Sequence, residues 1–336
     1  MLKLFQSLFG RETTTASAWP ETLVEAVIER AVDGTDPRLR ALSGYRKRLR
    51  EPALATIEHV MRLVDELPAP VAATIGNYRS DACLRAMFAS PERMFEVIGR
   101  DRNVEEALRA GAPGGQVLTA LLTVRMSEKH TLGVDLEDGV LKRDVQQTIV
   151  SFDGHRLVDP CAEAAETRRL LKRRAYDHIL AQVLEAMATR RTTRTGLAGQ
   201  RELLQRKSAA LQGAGWSFEA QGAQGPSDAA ALEKELARIE DELAELGPDE
   251  VTLDAHLDML AEALAAPARS LWLEQRSLIL DHRNVLRSRP DSVARELHFG
   301  ELHDGRGTRT VALLLGIDPS LLPRTDFFKA AKRYTG

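Results

Sequence analysis

From Ala162 to Gln212 the chain runs without a proline, and this stretch limits the fold more than any other. Proline is the residue that breaks helices, so its absence predicts a single helix some 75 Å long at a rise of about 1.5 Å per residue. A rod of that length cannot be buried inside a small domain and needs a partner along its side. A Gly-rich loop follows, and then a second helix is expected from the N-cap residues Ser227 or Asp228 to the stop at Gly247-Pro248. Its Leu232, Leu236, Ile239, Leu243 and Leu246 alternate spacings of four and three, the seam of a coiled coil, and Leu197, Leu204 and Leu211 give the first helix a seven-residue repeat. Residues 161–212 carry 11 basic and 5 acidic side chains, whereas residues 227–246 carry 2 and 7. The two helices therefore attract, and an antiparallel coiled-coil arm is expected. Pairing of each helix with its copy in a homodimer is the alternative, set second because the connecting loop is short. Gly196 and Gly199 mark a soft point in the first helix.

The sequence flanking the arm has the other period. His130–Glu137 and Val140–Phe152 read as strands joined by an Asp138-Gly139 turn, whose glycine readily supplies a positive φ. After the arm, Leu271–Asp281, Val293–Leu302 and Thr308–Gly316 read as three more strands, with Asp304–Gly307 turning the last pair. One antiparallel sheet of a hairpin plus a three-stranded meander is expected, closed by a short helix after Asp326.

Ahead of the hairpin, Leu23, Val24, Val27, Ile28 and Ala31 recur at helical spacing between Pro20 and Gly34. A further helical stretch from Asp36-Pro37 carries Leu54, Ile57, Met61 and Val64 and stops at Pro68 and Pro70. Shorter helices are expected at 80–89, 91–99, 102–110 and 115–127. The fold class is thus mainly α with a smaller antiparallel β region (α+β). Its expected parts are a flexible peptide and linker (1–18), a helical domain (19–129), a β-rich region split in two (130–158 and 269–336) and the coiled-coil arm (159–268).

Composition narrows the function classes. A net charge of −3 provides no overall field for polyanions, so any nucleic-acid affinity must come from a local patch. The two cysteines, Cys83 and Cys161, lie far apart and form no disulfide framework or zinc motif. No stretch has the length of a membrane span, and the opening MLKLFQSLFGR lacks the features of a signal peptide. A cytoplasmic location is expected.

Three groups of residues stand out, each with a plainer reading beside the functional one. Trp216 and Phe218, in the loop between the arm helices, are candidates to anchor another protein, or else they fold back as a cap on the seam. Leu2, Phe5 and Phe9, with Leu4 and Leu8, place apolar groups on one face of residues 1–11, a peptide that docks in a groove, touches a membrane interface, or tucks onto its own domain. Arg46, Lys47, Arg48 and Arg50, joined by Arg173 and Arg174 of the arm, form the nucleic-acid alternative, although basic residues on a helix face are more often solvated or ion-paired.

Catalytic signals are absent. The chain has no phosphate loop, no GxGxxG after a strand, no GxSxG and no HExxH. His282, His298 and His303, with Glu301 or Asp304 nearby, do not match a recognised ligand spacing, so no metal, cofactor or catalytic residue is assigned. Asp254, His256 and Asp258 read as the outer face of an amphipathic helix defined by Leu253, Leu257, Leu260 and Leu264. The leading expectation is a non-enzymatic adaptor or scaffold that uses the arm to engage another protein. A nucleic-acid-associated factor comes second, and an enzyme with a site between the helical domain and the sheet third.

Overall fold

The computed structural model describes residues 19–110, 116–137, 140–213, 226–246, 249–290 and 293–323. The helix expected after Asp326 and the Asp138-Gly139 turn lie outside these residues. The described residues divide into two compact units, one from the ranges 57–176 and 268–323 and the other from 19–56 and 177–267. The fold is α+β, as expected, with nine α-helices among the described residues and a six-stranded sheet.

In the sheet-bearing unit the strands are β1 (Val71–Ala72), β2 (Leu118–Glu137), β3 (Val140–Cys161), β4 (Leu271–Leu280), β5 (Arg295–Asp304) and β6 (Arg309–Ile317). Their order is β3-β2-β6-β5-β4, antiparallel throughout, with β1 added parallel to β6 through Val71↔Leu315 and Ala72↔Gly316. The hairpin and the meander therefore join along β2 and β6, from Leu118↔Ile317 to Val124↔Val311. Every residue of β6 from Val311 to Ile317 is buried, which explains its unbroken apolar run: side chains on both faces of a central strand must leave water.

The same physics corrects one expectation. Residues 115–127 were read as helix, but from Leu118 they are strand β2. Leu118, Ala120, Leu122 and Val124 pack into one core, while Leu121 belongs to the core on the opposite face. A strand buried on both sides shows no two-residue alternation, and its short apolar run has no period that separates it from a helix.

The sheet also curls back on itself. Beyond β4 the chain turns at Asp281–Asn284, and Val285 then bridges Ile149 of β3 while Leu286 bridges Leu280. The Val150 amide donates to the Asn284 carbonyl at 2.8 Å, and the Leu286 amide donates to Thr148 at 2.8 Å. The two outermost strands are thus tied together at one end.

Four short helices fill the face inside this curl: α3 (Ile75–Ser80), α4 (Ala82–Met87), α5 (Pro91–Gly99) and α6 (Arg102–Arg109), which follow α1 (Glu21–Gly34) and α2 (Tyr45–Asp65) in the chain. Each is started by an oxygen-bearing side chain, from Thr74, Asp81, Ser90 and Asp101 respectively, that accepts an amide hydrogen of the first turn. Asp101 uses its second oxygen for the amide of Leu157 at 3.0 Å, which fastens α6 to β3. Leu84, Met87, Phe88, Met94 and Ile98 then meet Leu278, Leu297, Phe299 and Leu313 of the sheet. On the other face, Val64 and Leu67 cover Leu121, Ala312 and Leu314 with Leu171.

The second unit is helical. It contains α1, the start of α2, and most of α7 (Ala164–Gly213), α8 (Pro226–Leu246) and α9 (Asp249–Ala265). The long proline-free segment is a 50-residue helix, as its sequence predicts. Leu232 and Ile239 of α8 are buried and Leu236 and Leu243 half-buried. Gly34 allows α7 to come close to α1, since a Cβ at this position would stand 3.1 Å from Leu180.

His256 requires a second correction. It was expected on a solvated face but is buried, with Nδ1 3.0 Å from the Asp36 carboxylate. Position 256 is three residues after Leu253 and four before Leu260, so it borders the apolar stripe rather than opposing it. Asp254 and Asp258 are on the exposed side, as expected.

Gly196 and Gly199 lie within the uninterrupted α7, both exposed, and a Cβ at either would meet nothing within 4 Å. Each Gly→Ala substitution is expected to stabilise the protein by about 0.5–1 kcal/mol, measured by chemical denaturation. A loss of stability at either position would show that the helix needs the glycine backbone there.

Candidate anion-binding site

The basic stripe of α2 is tied to acids within its own unit. Arg46 reaches Glu29 at 2.8 Å, Arg50 reaches Glu21 at 2.8 Å, and Arg48 holds Asp254 at 3.1 Å together with Asp258. Lys47 is exposed. Arg174 pairs with Asp159 at 2.8 Å, and Arg173 is half-buried with partners of its own. Most of the positive charge that suggested a phosphate track is thus already matched by neighbouring carboxylates. Leu2, Phe5, Phe9, Trp216 and Phe218 lie outside the described residues.

The three histidines considered together in the sequence are separated. His298 and His303 are five positions apart on β5, an odd spacing, and therefore point to opposite faces. His298 is exposed, His303 is buried beside Glu301 and Glu274, and His282 sits on the β4–β5 connection.

His282 also lines a cavity. A cleft of about 550 Å³ opens between α3, α4 and the sheet, at the end where β3 and β4 are tied together. Its lining combines three arginines, Arg85 of α4, Arg283 of the β4–β5 connection and Arg295 of β5, with the apolar groups Phe88, Phe152 and Leu297. Among the described residues none of these three guanidinium groups makes an ion pair. Asp281 is the sole acid in the lining.

That acid is occupied. One oxygen of Asp281 accepts the amides of Arg283 at 2.8 Å and Val285 at 3.0 Å, and the other accepts from Arg287 at 2.9 Å. Burial works to raise its pKa, but the two amides and the guanidinium outweigh it, and the carboxyl sits below the ordinary aspartate range. Asp281 therefore serves as the internal brace of the loop that presents His282 and Arg283. Asn284 completes the brace: it adopts φ 58°, a conformation Asn tolerates better than most residues, and donates from Nδ2 to the Ala86 carbonyl at 2.9 Å.

The opposite wall is set by similar ties. The Tyr78 hydroxyl donates to the Phe88 carbonyl at 2.9 Å, and burial pushes its pKa up although the nearby Arg85 charge opposes this. His155 contacts the Met87 carbonyl through Nε2 at 2.8 Å, with its ring 4.7 Å from that of Phe88. These contacts hold the C-terminal end of α4 against β3 and fix where Arg85 emerges.

No family model matches this chain, and no curated protein or solved structure matches it. Function is accordingly read from the chemistry of the site. The three arginines escaped the sequence reading because they come from a helix, a connection and a strand, 85, 283 and 295 in the chain. The one legible trace was Asp281-His282-Arg283-Asn284, in which an Asp two residues before a basic residue and three before Asn has the composition of a self-braced turn.

Asp281→Asn is expected to destabilise the protein by about 1–3 kcal/mol at neutral pH by weakening these charge-assisted bonds. Because the native carboxyl has a lowered pKa, its contribution is complete above about pH 4, the unfolded value, and is lost as pH falls toward the folded one. The variant's stability, followed by urea denaturation at several pH values, should therefore fall less steeply below pH 4 than that of the native chain.

Proposed function

We propose that this chain is a binding protein whose sheet-bearing unit holds a small organic anion in the cleft lined by Arg85, Arg283 and Arg295. The observation that supports it is the union of a basic rim, whose one lining acid Asp281 is already engaged by Arg287 and two backbone amides, and an apolar floor formed by Phe88, Phe152 and Leu297. A phosphate or carboxylate group would receive charge-assisted hydrogen bonds from the guanidinium groups, while an apolar body would be withdrawn from water beside the rings. The cleft volume of about 550 Å³ falls within the range of small-molecule sites. Two free cysteines, one buried and one half-buried, suit a reducing cytoplasm.

A second reading, assembly with another protein through the long helices, is favoured by a different observation. Leu184 and Leu203 of α7 are 45% and 68% exposed, apolar surface that its own unit leaves uncovered. In this adaptor reading the helical unit recruits a partner while the other unit senses the anion.

Calorimetric titration with pyrophosphate, AMP and citrate distinguishes inorganic, nucleotide and carboxylate ligands. Binding of at least one is expected, weakened about tenfold or more by Arg283→Ala or Arg295→Ala and weakened further by added salt. Equal binding by these variants would remove the site from consideration. The adaptor reading is checked by affinity capture with the intact chain and with residues 192–246 replaced by a short linker, from lysates with and without nuclease. A partner lost with the linker and again with Leu203→Glu supports it, whereas a nuclease-sensitive partner points to nucleic acid.

A further inference from the structure

At the other end of β4 and β5 lies a group of side chains unrelated to the cleft. The strand register sets Glu274 opposite Glu301 and Trp272 opposite His303. Two carboxylates directly across a strand pair repel unless a cation stands between them. Arg276, on the same face of β4, answers part of this demand by donating to Glu301 Oε2 at 2.9 Å. Arg276 feels the charges of Glu128 and Glu274 as well as that of Glu301, which it contacts, so one guanidinium answers three acids. Arg309 stands opposite His303 on β6 but is exposed, where water screens it.

The imidazole is the second observation. His303 has a side chain only 10% exposed, yet its Nε2 is buried and forms no hydrogen bond. The ring is stacked against Trp272, with centroids 5.0 Å apart and planes 15° from parallel, so its orientation is fixed. Nε2 lies 3.2 Å from Glu301 Oε2 and 3.3 Å from Glu274 Oε2, and one ligand atom from each of the three residues lies within 4.8 Å of the others. A buried nitrogen with an unmet hydrogen-bonding requirement costs free energy, and here it is aimed between two carboxylates.

We infer that Glu274, Glu301 and His303 form a binding site for one divalent transition-metal ion of the zinc class. Ligand bonds of 2.0–2.2 Å in a tetrahedral arrangement place neighbouring ligand atoms about 3.3 Å apart, the separation found from Nε2 to each carboxylate oxygen. Mixed imidazole and carboxylate ligation suits zinc and its neighbours over magnesium or calcium, which prefer all-oxygen sets. Arg276 holds the Glu301 carboxylate, and Trp272 holds the imidazole plane, as outer groups do in metal sites. Glu301 is 1% exposed and Glu274 is exposed, so the ion enters from the Glu274 side, where a water completes the set.

The full chain, stripped with a chelator, is titrated with Zn²⁺ by calorimetry and with Co²⁺ by visible absorption. One ion per chain is expected, with the intense visible bands of tetrahedral Co²⁺. Glu274→Gln and His303→Gln should each weaken binding about 100-fold or more, while His298→Gln leaves it unchanged. Glu274 is exposed, so its variant keeps the fold, verified by near-ultraviolet circular dichroism. Absence of stoichiometric binding, or equal affinity in the native chain and the Glu274→Gln variant, would overturn the site and leave His303 as a member of a charge cluster alone.

Discussion

The pairing of β2 with β6 is the constraint on which the sheet-bearing unit rests. It joins two segments almost two hundred positions apart in the chain, from Leu118↔Ile317 to Val124↔Val311. Forming such a contact costs loop-closure entropy before any burial repays it, and the sequence answers with Leu313, Leu314 and Leu315, all buried on a strand that has neighbours on both edges. Once that seam exists, β3 and β4 become the free edges of one curved sheet. Val285 and Leu286 can then bridge them, and the turn at Asp281–Asn284 is brought against α4. The cleft is therefore a consequence of closing the sheet.

What the sequence disclosed follows from how local each signal is. The first helix could be placed because its apolar residues repeat at helical spacing up to Gly34, β5 because its apolar residues favour one face, and β6 because the Asp304–Gly307 turn bounds its short apolar run. The 50-residue α7 was legible for the same reason, as the absence of proline is a property of the segment alone. The first half of β2, up to residue 127, was misread because burial on both faces erases its alternation, and that burial is decided by β6 and the helices that pack over it, whereas His130–Glu137 was placed as strand. His256 was misplaced because a polar residue beside an apolar stripe goes inside only when a distant group, here Asp36, can pair with it.

The candidate sites were less legible still. Their charges face one another only after the strands are in register. Glu274 and Glu301 stand far apart in the sequence, with nothing to join them there, and become directly opposed in the sheet. The basic residues of α2 show the converse: a conspicuous run in sequence is matched by Glu21, Glu29, Asp254 and Asp258, some of them over two hundred positions away. A charge run shows where charge exists, and only the fold shows whether it is left over.

The surplus charge on the sheet is sorted by sign. Leu297 and Arg295 belong to the cleft at one end of β5, and Glu301 and His303 to the acidic group at the other. Eight residues of extended chain separate Arg295 from His303, about 26 Å at the strand rise of about 3.3 Å per residue. That exceeds the screening length of about 8 Å at physiological ionic strength. An anion in the cleft and a cation at the acidic end would therefore feel little of each other through space. The intervening positions support the same separation: Leu278 and Phe299 fill the core between the two ends, leaving Arg276 to serve the acidic group. Any coupling between the two ends would have to pass through the backbone of β4 and β5, which are hydrogen-bonded partners from Leu271↔Asp304 to Leu280↔Arg295.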